Sequence, residues 1–283
     1  MNKILKKIKK SISKIFSHNE IQDIRELILT NQNYNNQKNT ENPLNHYGLK
    51  CFSQSDEDGI TIEIIKRINI YNGTYAEYGV GNGTENNTLI LAALGWSGFW
   101  IGGENLLFRH EKLSKFKYFK TWVTKENAFE YYSRGLDSIK KKGVDLLSID
   151  LDGNDYYILE ELLKKGIEPK IIISEYNAKF PPPILFKIKY NPSHYWKSDD
   201  YFGASLSTLS FLLNKYNYFL VCCNSHTGAN AFFIHKNYQD KFRDLPTDIR
   251  KIYMPPKYYL NSKYGHPISI ETIEHIFNES ESQ

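Results

Sequence analysis

Two pairs of oxygen-bearing side chains have a spacing that suggests chemistry: Asp150 and Asp152 in "SIDLDGND", and Glu175 and Asn177 in "SEYNA". Each pair stands at i and i+2 at the end of an apolar run, which on an extended strand puts both side chains on one face. If the two runs are neighbouring parallel strands, about 4.8 Å apart, four oxygen ligands converge at one edge of a sheet. Such ligands suit Mg²⁺, Mn²⁺ or Ca²⁺ and not Zn²⁺, so Asp150, Asp152, Glu175 and Asn177 are the candidate metal set. A plainer reading stays open, in which Asp150 only orients a cofactor and "DGND" is a turn capping the next helix. An aliphatic hydroxyl ionises far above neutral pH, so transfer of a group to oxygen needs a base or a metal. Asp150, Asp152 and His226, in the turn "NSHTGAN", are the candidates for that catalytic role, against the alternative that His226 is a solvated turn residue.

A second constellation is "YAEYGVGNGTENNTL", where Gly79, Gly81 and Gly83 alternate and Glu77 and Glu85 flank them. A dinucleotide fingerprint, GxGxxG, would offer amides to a pyrophosphate. Here the spacing is GxGxG with a carboxylate just before it, which suits a cationic ligand without phosphate. S-adenosylmethionine is such a ligand, and its ribose hydroxyls want an acidic acceptor beyond the second strand, where Glu104 stands. Tyr176, Tyr201 and Phe202 are candidates to flank a sulfonium by cation–π contact, although packing is the ordinary role in a chain with 21 Tyr and 16 Phe.

These residues need a frame. From about residue 50, apolar runs alternate with amphipathic segments. "SQSDEDGITIEIIKRI" reads as a helix with Ser and Asp caps, "TYAEYGV" as a strand, "NNTLILAALG" as a helix and "GFWIGGE" as a strand. A helix near 107–115, a strand "KTWVTKEN", a helix near 128–141, then "VDLLSIDLD", "YYILEELLKKG" and "PKIIISEYN" continue the alternation. A helix "SLSTLSFLLNKY" leads to "YFLVCCN" and "NAFFIHK", two strands joined by a Gly-containing turn. This order predicts an α/β fold: a doubly wound, mostly parallel, Rossmann-like sheet closed by an antiparallel hairpin, the layout of the class I methyltransferases. Ligands then bind beyond the C-terminal strand ends, where the glycine loop lies.

At 283 residues, 41% hydrophobic and 14% aromatic, the chain supports one principal domain. We divide it into an N-terminal extension over 1–45, a catalytic domain over 46–245 and a C-terminal extension over 246–283. Cys51, Cys222 and Cys223 make no disulfide framework, and the adjacent pair would face opposite sides of a strand, which suits a reducing compartment. With no signal-like apolar block and no span of about 20 apolar residues, the expected location is cytoplasmic. The net charge of +4 is uneven: residues 1–16 hold six lysines and no acid, so the remainder carries −2 and is no nucleic-acid surface. In that segment Ile4, Leu5, Ile8, Ile12 and Ile15 recur at helical spacing. It is expected to lie on an anionic membrane at the inner face or to pack on its own domain or a partner subunit of a homo-oligomer. "EIQDIRELIL" reads as a second helix, and "TNQNYNNQKNTENP" as a linker or mobile loop.

"SQSDEDGI", "EYGVGNGTENNTL", "DLLSIDLDGNDYYI", "IIISEYNAKFPP", "DYFGASLSTL" and "GANAFFIHK" together resemble the FkbM-type S-adenosylmethionine-dependent methyltransferases, a branch often found among bacterial surface-polysaccharide genes. The resemblance runs from about 50 to 236. It implies that Glu77, Gly79, Gly81, Gly83, Asn86, Glu104 and Asp150 hold S-adenosylmethionine, and that Lys125–Asn127, with Glu126 and Asn127, approach the adenine. Asn82 stands where relatives often have Asp, and Gly102 where an acid is common. Catechol-type methyltransferases, another class I group, hold a divalent ion at the ends of the same two strands, a similar pattern. The implied activity is O-methylation of a sugar, sugar phosphate or phosphoramidate on a small-molecule or glycan acceptor in capsule or surface-polysaccharide biosynthesis, with Mg²⁺ or Mn²⁺ as the assisting ion. Two alternatives remain: a metal-dependent glycosyltransferase using the Asp-x-Asp pair, and a non-catalytic cofactor-binding protein.

Overall fold

A computed structural model describes residues 18–257 and 265–281; the basic segment 1–16, with its expected amphipathic helix and membrane contact, lies outside them. Among the described residues seven strands form one sheet: β1 (Thr74–Tyr78), β2 (Ser97–Gly102), β3 (Phe116–Lys120), β4 (Leu146–Ile149), β5 (Ile171–Glu175), β6 (Tyr218–Cys223) and β7 (Asn230–His235). Their order is β3-β2-β1-β4-β5-β7-β6. The first five run parallel, while β7 is antiparallel to both β5 and β6. This is the doubly wound sheet closed by a hairpin that characterises the class I methyltransferase fold, as the alternation of elements predicted.

The helices are α1 (His18–Lys38), α2 (Glu57–Arg67), α3 (Leu89–Ala93), α4 (Ala128–Ile139), α5 (Asp155–Lys164), α6 (Leu206–Lys215), α7 (Ile249–Ile252) and α8 (Ile270–Glu281). Because side chains alternate along a strand, the sheet feeds two cores. Ile172, Leu147 and Ile149 join Leu159 and Leu162 of α5 and Leu206 and Leu209 of α6 on one face. Ile171 and Ile173 join Ile60 and Ile64 of α2 and Leu91 of α3 on the other. Cys222 and Cys223 divide in the same way, one thiol in each core, and both are buried and free. Among the described residues no helix is long and apolar enough to cross a membrane.

Three expectations need correction. The third strand is "FKYFK", not "KTWVTKEN", because the alternating Phe and Tyr residues pair with β2. The stretch after it is a loop closed by Asn127, whose Oδ1 accepts the Thr124 amide at 2.9 Å and whose Nδ2 donates to the Trp122 carbonyl at 2.9 Å. Residues 107–115 form turns instead of a helix: Phe108 and His110 pack their rings on Trp100, Phe116 and Tyr118 of the sheet edge, which a helix could not present together. Finally, α1 runs through the supposed linker to Lys38. Its end is held by Gln37, whose Nε2 donates to the carbonyls of His46 and Gly48 at 3.2 and 2.9 Å.

The acids that open α2 do more than cap it. Asp58, fully buried, accepts the amides of Cys51, Phe52 and Ser53 at 2.7, 2.6 and 2.8 Å and the Ser53 hydroxyl at 2.9 Å. Asp56 stands at the N-cap but makes no side-chain cap bond. It reaches across to the hairpin turn and accepts the Ser225 amide and hydroxyl at 2.9 and 2.7 Å and the His226 amide at 3.1 Å. Glu57 accepts from Asn230 of β7 at 3.1 Å, and burial, then the neighbouring Asp56, raise its carboxyl above the usual range. Removing the Asp58 carboxylate leaves a loop's amides without acceptors, each costing about 1–3 kcal/mol. Asp58→Ala is therefore expected to lower stability by at least about 2 kcal/mol in urea unfolding, and a midpoint unchanged from wild type would remove Asp58 from this role.

Candidate active site

The loop after β1 crosses the end of β4. Gly79 donates its amide to the Ile101 carbonyl at 2.9 Å and has φ +84°. A Cβ there would stand 1.5 Å from the Asp150 carbonyl oxygen, so only glycine fits. A Cβ on Gly83 would touch Leu106 and Phe108 at 3.0 Å. Gly81, at φ +49°, differs: a Cβ on it would meet nothing within 4 Å, so its backbone borders open space.

Glu77 lies beneath this loop and is buried. Its oxygens take the protein's own donors: the amides of Asn87 and Thr88 at 2.9 and 3.1 Å and the Thr88 hydroxyl at 2.5 Å. The Trp100 indole donates to that hydroxyl at 2.8 Å. Glu77 thus sets the path of the loop into α3. Asn86 is buried, with Nδ2 donating to the Val80 carbonyl at 3.3 Å.

The β4–β5 register pairs Ile149 with Ser174, which places Asp150 level with Glu175. Asp152 follows in left-handed conformation, φ +53°. Asp155 stabilises that turn by accepting the amides of Leu151 and Gly153 at 2.7 and 3.0 Å, while Asn154 at the N-cap of α5 makes no side-chain cap bond, so "DGND" is a turn without a side-chain cap. The result is a cluster in which one carboxylate oxygen each from Asp150, Asp152 and Glu175 lie within 4.8 Å of one another. Burial, then Asp152 and other acids nearby, hold the Asp150 carboxyl well above the usual range. Burial, then Asp150 and Asp152, do the same to Glu175. The Glu175 Oε2 is buried without a hydrogen-bond partner. Asn177, expected as a fourth ligand, uses its amide elsewhere: Nδ2 donates to the carbonyls of Asp200 and Phe202 at 2.9 and 3.0 Å, and Oδ1 accepts the Lys179 amide at 3.2 Å.

A cavity of about 740 Å³ opens beside the cluster, with Asp152, Glu175, His226, Trp196, Phe202 and His266 in its wall. Glu26, Leu29 and Asn33 of α1 also line it. The His226 Nε2 stands 3.2 Å from the Gln37 Oε1, and burial lowers the imidazole below its ordinary value. Tyr176 is buried and donates to the Met254 carbonyl at 2.7 Å, a packing role, whereas Phe202 borders the cavity. The Tyr201 hydroxyl accepts the Lys189 amide at 3.3 Å, and its ring packs edge-on against Phe186 at 6.4 Å.

The residues assigned to the nucleoside side stay on separate loops. Glu104 is exposed past β2, where its carbonyl accepts the Tyr118 hydroxyl at 2.5 Å. Glu126, past β3, accepts the Tyr190 hydroxyl at 2.6 Å, which holds its carboxyl below the ordinary range. Sequence reasoning missed Trp196 and His266 in the cavity wall, Gln37 as the partner of His226, and the reach of Asp56 to the hairpin turn. Only the last had a signal: three successive acids exceed what one helix start needs.

Similar solved structures include MycE from the mycinamycin biosynthetic pathway in complex with Mg, SAH and mycinamycin VI, at TM-score 0.40 and 14% identity, covering 62% of this chain and 49% of that chain. The chain thus spans about half the length of MycE. The glycopeptide N-methyltransferase MtfA complexed with SAH is similar at TM-score 0.37 and 12% identity, covering 66% and 93%. Fibrillarin in its Nop5p complex is similar at TM-score 0.36 and 11% identity, covering 59% and 73%. No family model matches the chain, and no curated protein does.

Burial raises the Glu77 carboxyl from 4.5 to about 7, against the three donors that favour its ionised form. The folded protein therefore holds this proton to higher pH than the unfolded chain. The associated stability is complete below about pH 4.5 and is lost as pH rises through about 7. Relative to Glu77→Gln, which has no such titration, the wild type is expected to lose roughly 3 kcal/mol across that window. Urea unfolding from pH 4 to 8 measures the difference, and parallel curves for the two proteins would contradict it.

Proposed function

We propose that the protein is an S-adenosylmethionine-dependent methyltransferase that methylates an oxygen of a sugar, sugar phosphate or phosphoramidate. The acceptor, a small molecule or glycan, belongs by this reading to bacterial capsule or surface-polysaccharide biosynthesis, as the FkbM-type resemblance implies. The observation that carries the reading is the juxtaposition, at the C-terminal edge of one doubly wound sheet, of a glycine loop open at Gly81 and a carboxylate cluster, half-buried at Asp150 and Glu175 and exposed at Asp152, beside a cavity of about 740 Å³.

The residues fit both groups that the reading requires. Space at Gly81 lets a nucleoside ligand approach the backbone closely, which a side chain would prevent. Three crowded carboxylates, one with an orphaned buried oxygen, fit a hard divalent cation. S-adenosylmethionine supplies, when bound, a methyl group already activated on a sulfonium. A divalent cation supplies, when bound, acidity at the oxygen it touches. Asp150, Asp152 and Glu175 would hold that cation, and their own mutual repulsion is relieved by it. His226, which lines the same cavity, would take the acceptor's proton, and Phe202 and Trp196 would contribute apolar wall to it. The reading keeps the protein cytoplasmic, with residues 1–16 as its contact to the inner face of an anionic membrane or to a second subunit.

Two experiments test it. Gly81→Val adds a branched side chain at an open position, at a backbone strain of about 1–2 kcal/mol. It is expected to keep the fold by circular dichroism and to abolish adenosylhomocysteine binding in calorimetry; normal binding would remove the loop from the site. Calorimetry of wild type with Mn²⁺ should show one site that Asp150→Asn weakens at least tenfold, about 1.4 kcal/mol, while adenosylhomocysteine affinity stays within a few fold. Tight binding of nucleotide sugars alone would favour a glycosyltransferase instead.

A further inference from the structure

The methyl-transfer reading needs a group that accepts the acceptor's proton, and the structure constrains which atom of His226 does so. Gln37 lies on α1, outside the sheet. Its Nε2 donates to two carbonyls, of His46 at 3.2 Å and Gly48 at 2.9 Å, so the amide has one orientation and Oε1 faces the imidazole. Oε1 can only accept. The His226 Nε2, 3.2 Å away, must then carry the ring hydrogen, and in the neutral ring the lone pair lies on Nδ1. Nδ1 stands 3.9 Å from the Asp56 Oδ1, a fully buried carboxylate. Without Gln37 that carboxylate would draw the hydrogen to Nδ1.

We infer that Gln37 is a positioning residue for His226, fixing the imidazole with its hydrogen on Nε2 so that Nδ1 receives the proton, with Asp56 stabilising the imidazolium that results. The step balances: the acceptor oxygen forms a bond to the methyl carbon, the carbon–sulfur bond breaks with its electron pair passing to sulfur, and the acceptor proton moves to Nδ1, later leaving to solvent. The charged groups that face the ring are Asp56 at the start of α2 and Lys257 in the segment after α7. Burial is the largest influence on the ring and lowers its basicity; Asp56 opposes this and Lys257 adds to it. His226 is therefore neutral, and able to accept, at neutral pH. The same hydrogen bond makes α1 part of the site, since Glu26, Leu29 and Asn33 of that helix also line the cavity.

The test is nitrogen-15 NMR of histidine-labelled full-length protein at neutral pH, with the His226 signals assigned by their loss in His226→Gln. The wild type is expected to show one neutral tautomer with hydrogen on Nε2. Gln37→Leu is expected to shift the population several-fold towards Nδ1–H, and Gln37→Glu, which still offers an acceptor, to restore Nε2–H. A wild-type ring with hydrogen on Nδ1 would overturn the inference, as would a Gln37→Leu ring with an unchanged tautomer ratio. If neither variant folds, the wild-type spectrum alone decides. Adenosylhomocysteine calorimetry on the same samples separates the outcomes: binding with the wrong tautomer leaves the methyltransferase reading intact and removes only the role of Gln37.

Discussion

The arrangement depends on one registration, that of β4 against β5. By pairing Ile149 with Ser174, it brings Asp150 and Glu175 to the same level at the sheet edge, half-buried where the hydrophobic layers of the two faces end. Like charges so placed repel, and both carboxyls hold their protons beyond the usual range. A one-residue slip would turn the pair to opposite faces and relieve the repulsion, yet it would also move Ile171, Ile172 and Ile173 into the wrong cores. The two cores therefore enforce the acidic edge.

A second set of acids ties the periphery to that edge. Asp56, Glu57 and Asp58 face three different partners from the start of one helix: the hairpin turn, β7 and the preceding loop. Each carboxylate collects backbone or amide donors, so the first turn of α2 fixes segments far apart in sequence. His226 owes its place to this, because its amide and that of Ser225 are both held by Asp56.

Much of the sheet was legible from sequence because its strands are apolar runs bounded by turn residues, and because Asp150, Asp152 and Glu175 sit at strand ends where register is the main unknown. The third strand was misplaced by a few residues, since "FKYFK" alternates and "WVT" is merely β-prone, and pairing with β2 decided between them. The hydrogen bonds of Asn177 could not be read from sequence, because i+2 spacing fixes a shared face only while the strand continues, and β5 ends at Glu175. For Glu77, a carboxylate beside glycines suggests a ligand, and no local signal shows that in the folded chain it accepts the amides of Asn87 and Thr88, ten and eleven residues on. Gln37 carried no local signal at all, being one amide in an Asn-rich stretch whose meaning comes from a contact 189 residues away.

The crossing of Gly79 over the Asp150 carbonyl has a mechanical consequence. With no room for even one carbon atom between them, the two backbones bear directly on each other, and neither the glycine loop nor the end of β4 can shift without moving its neighbour. The glycine loop and the end of β4 are therefore held in place against one another through peptide groups instead of through flexible side chains.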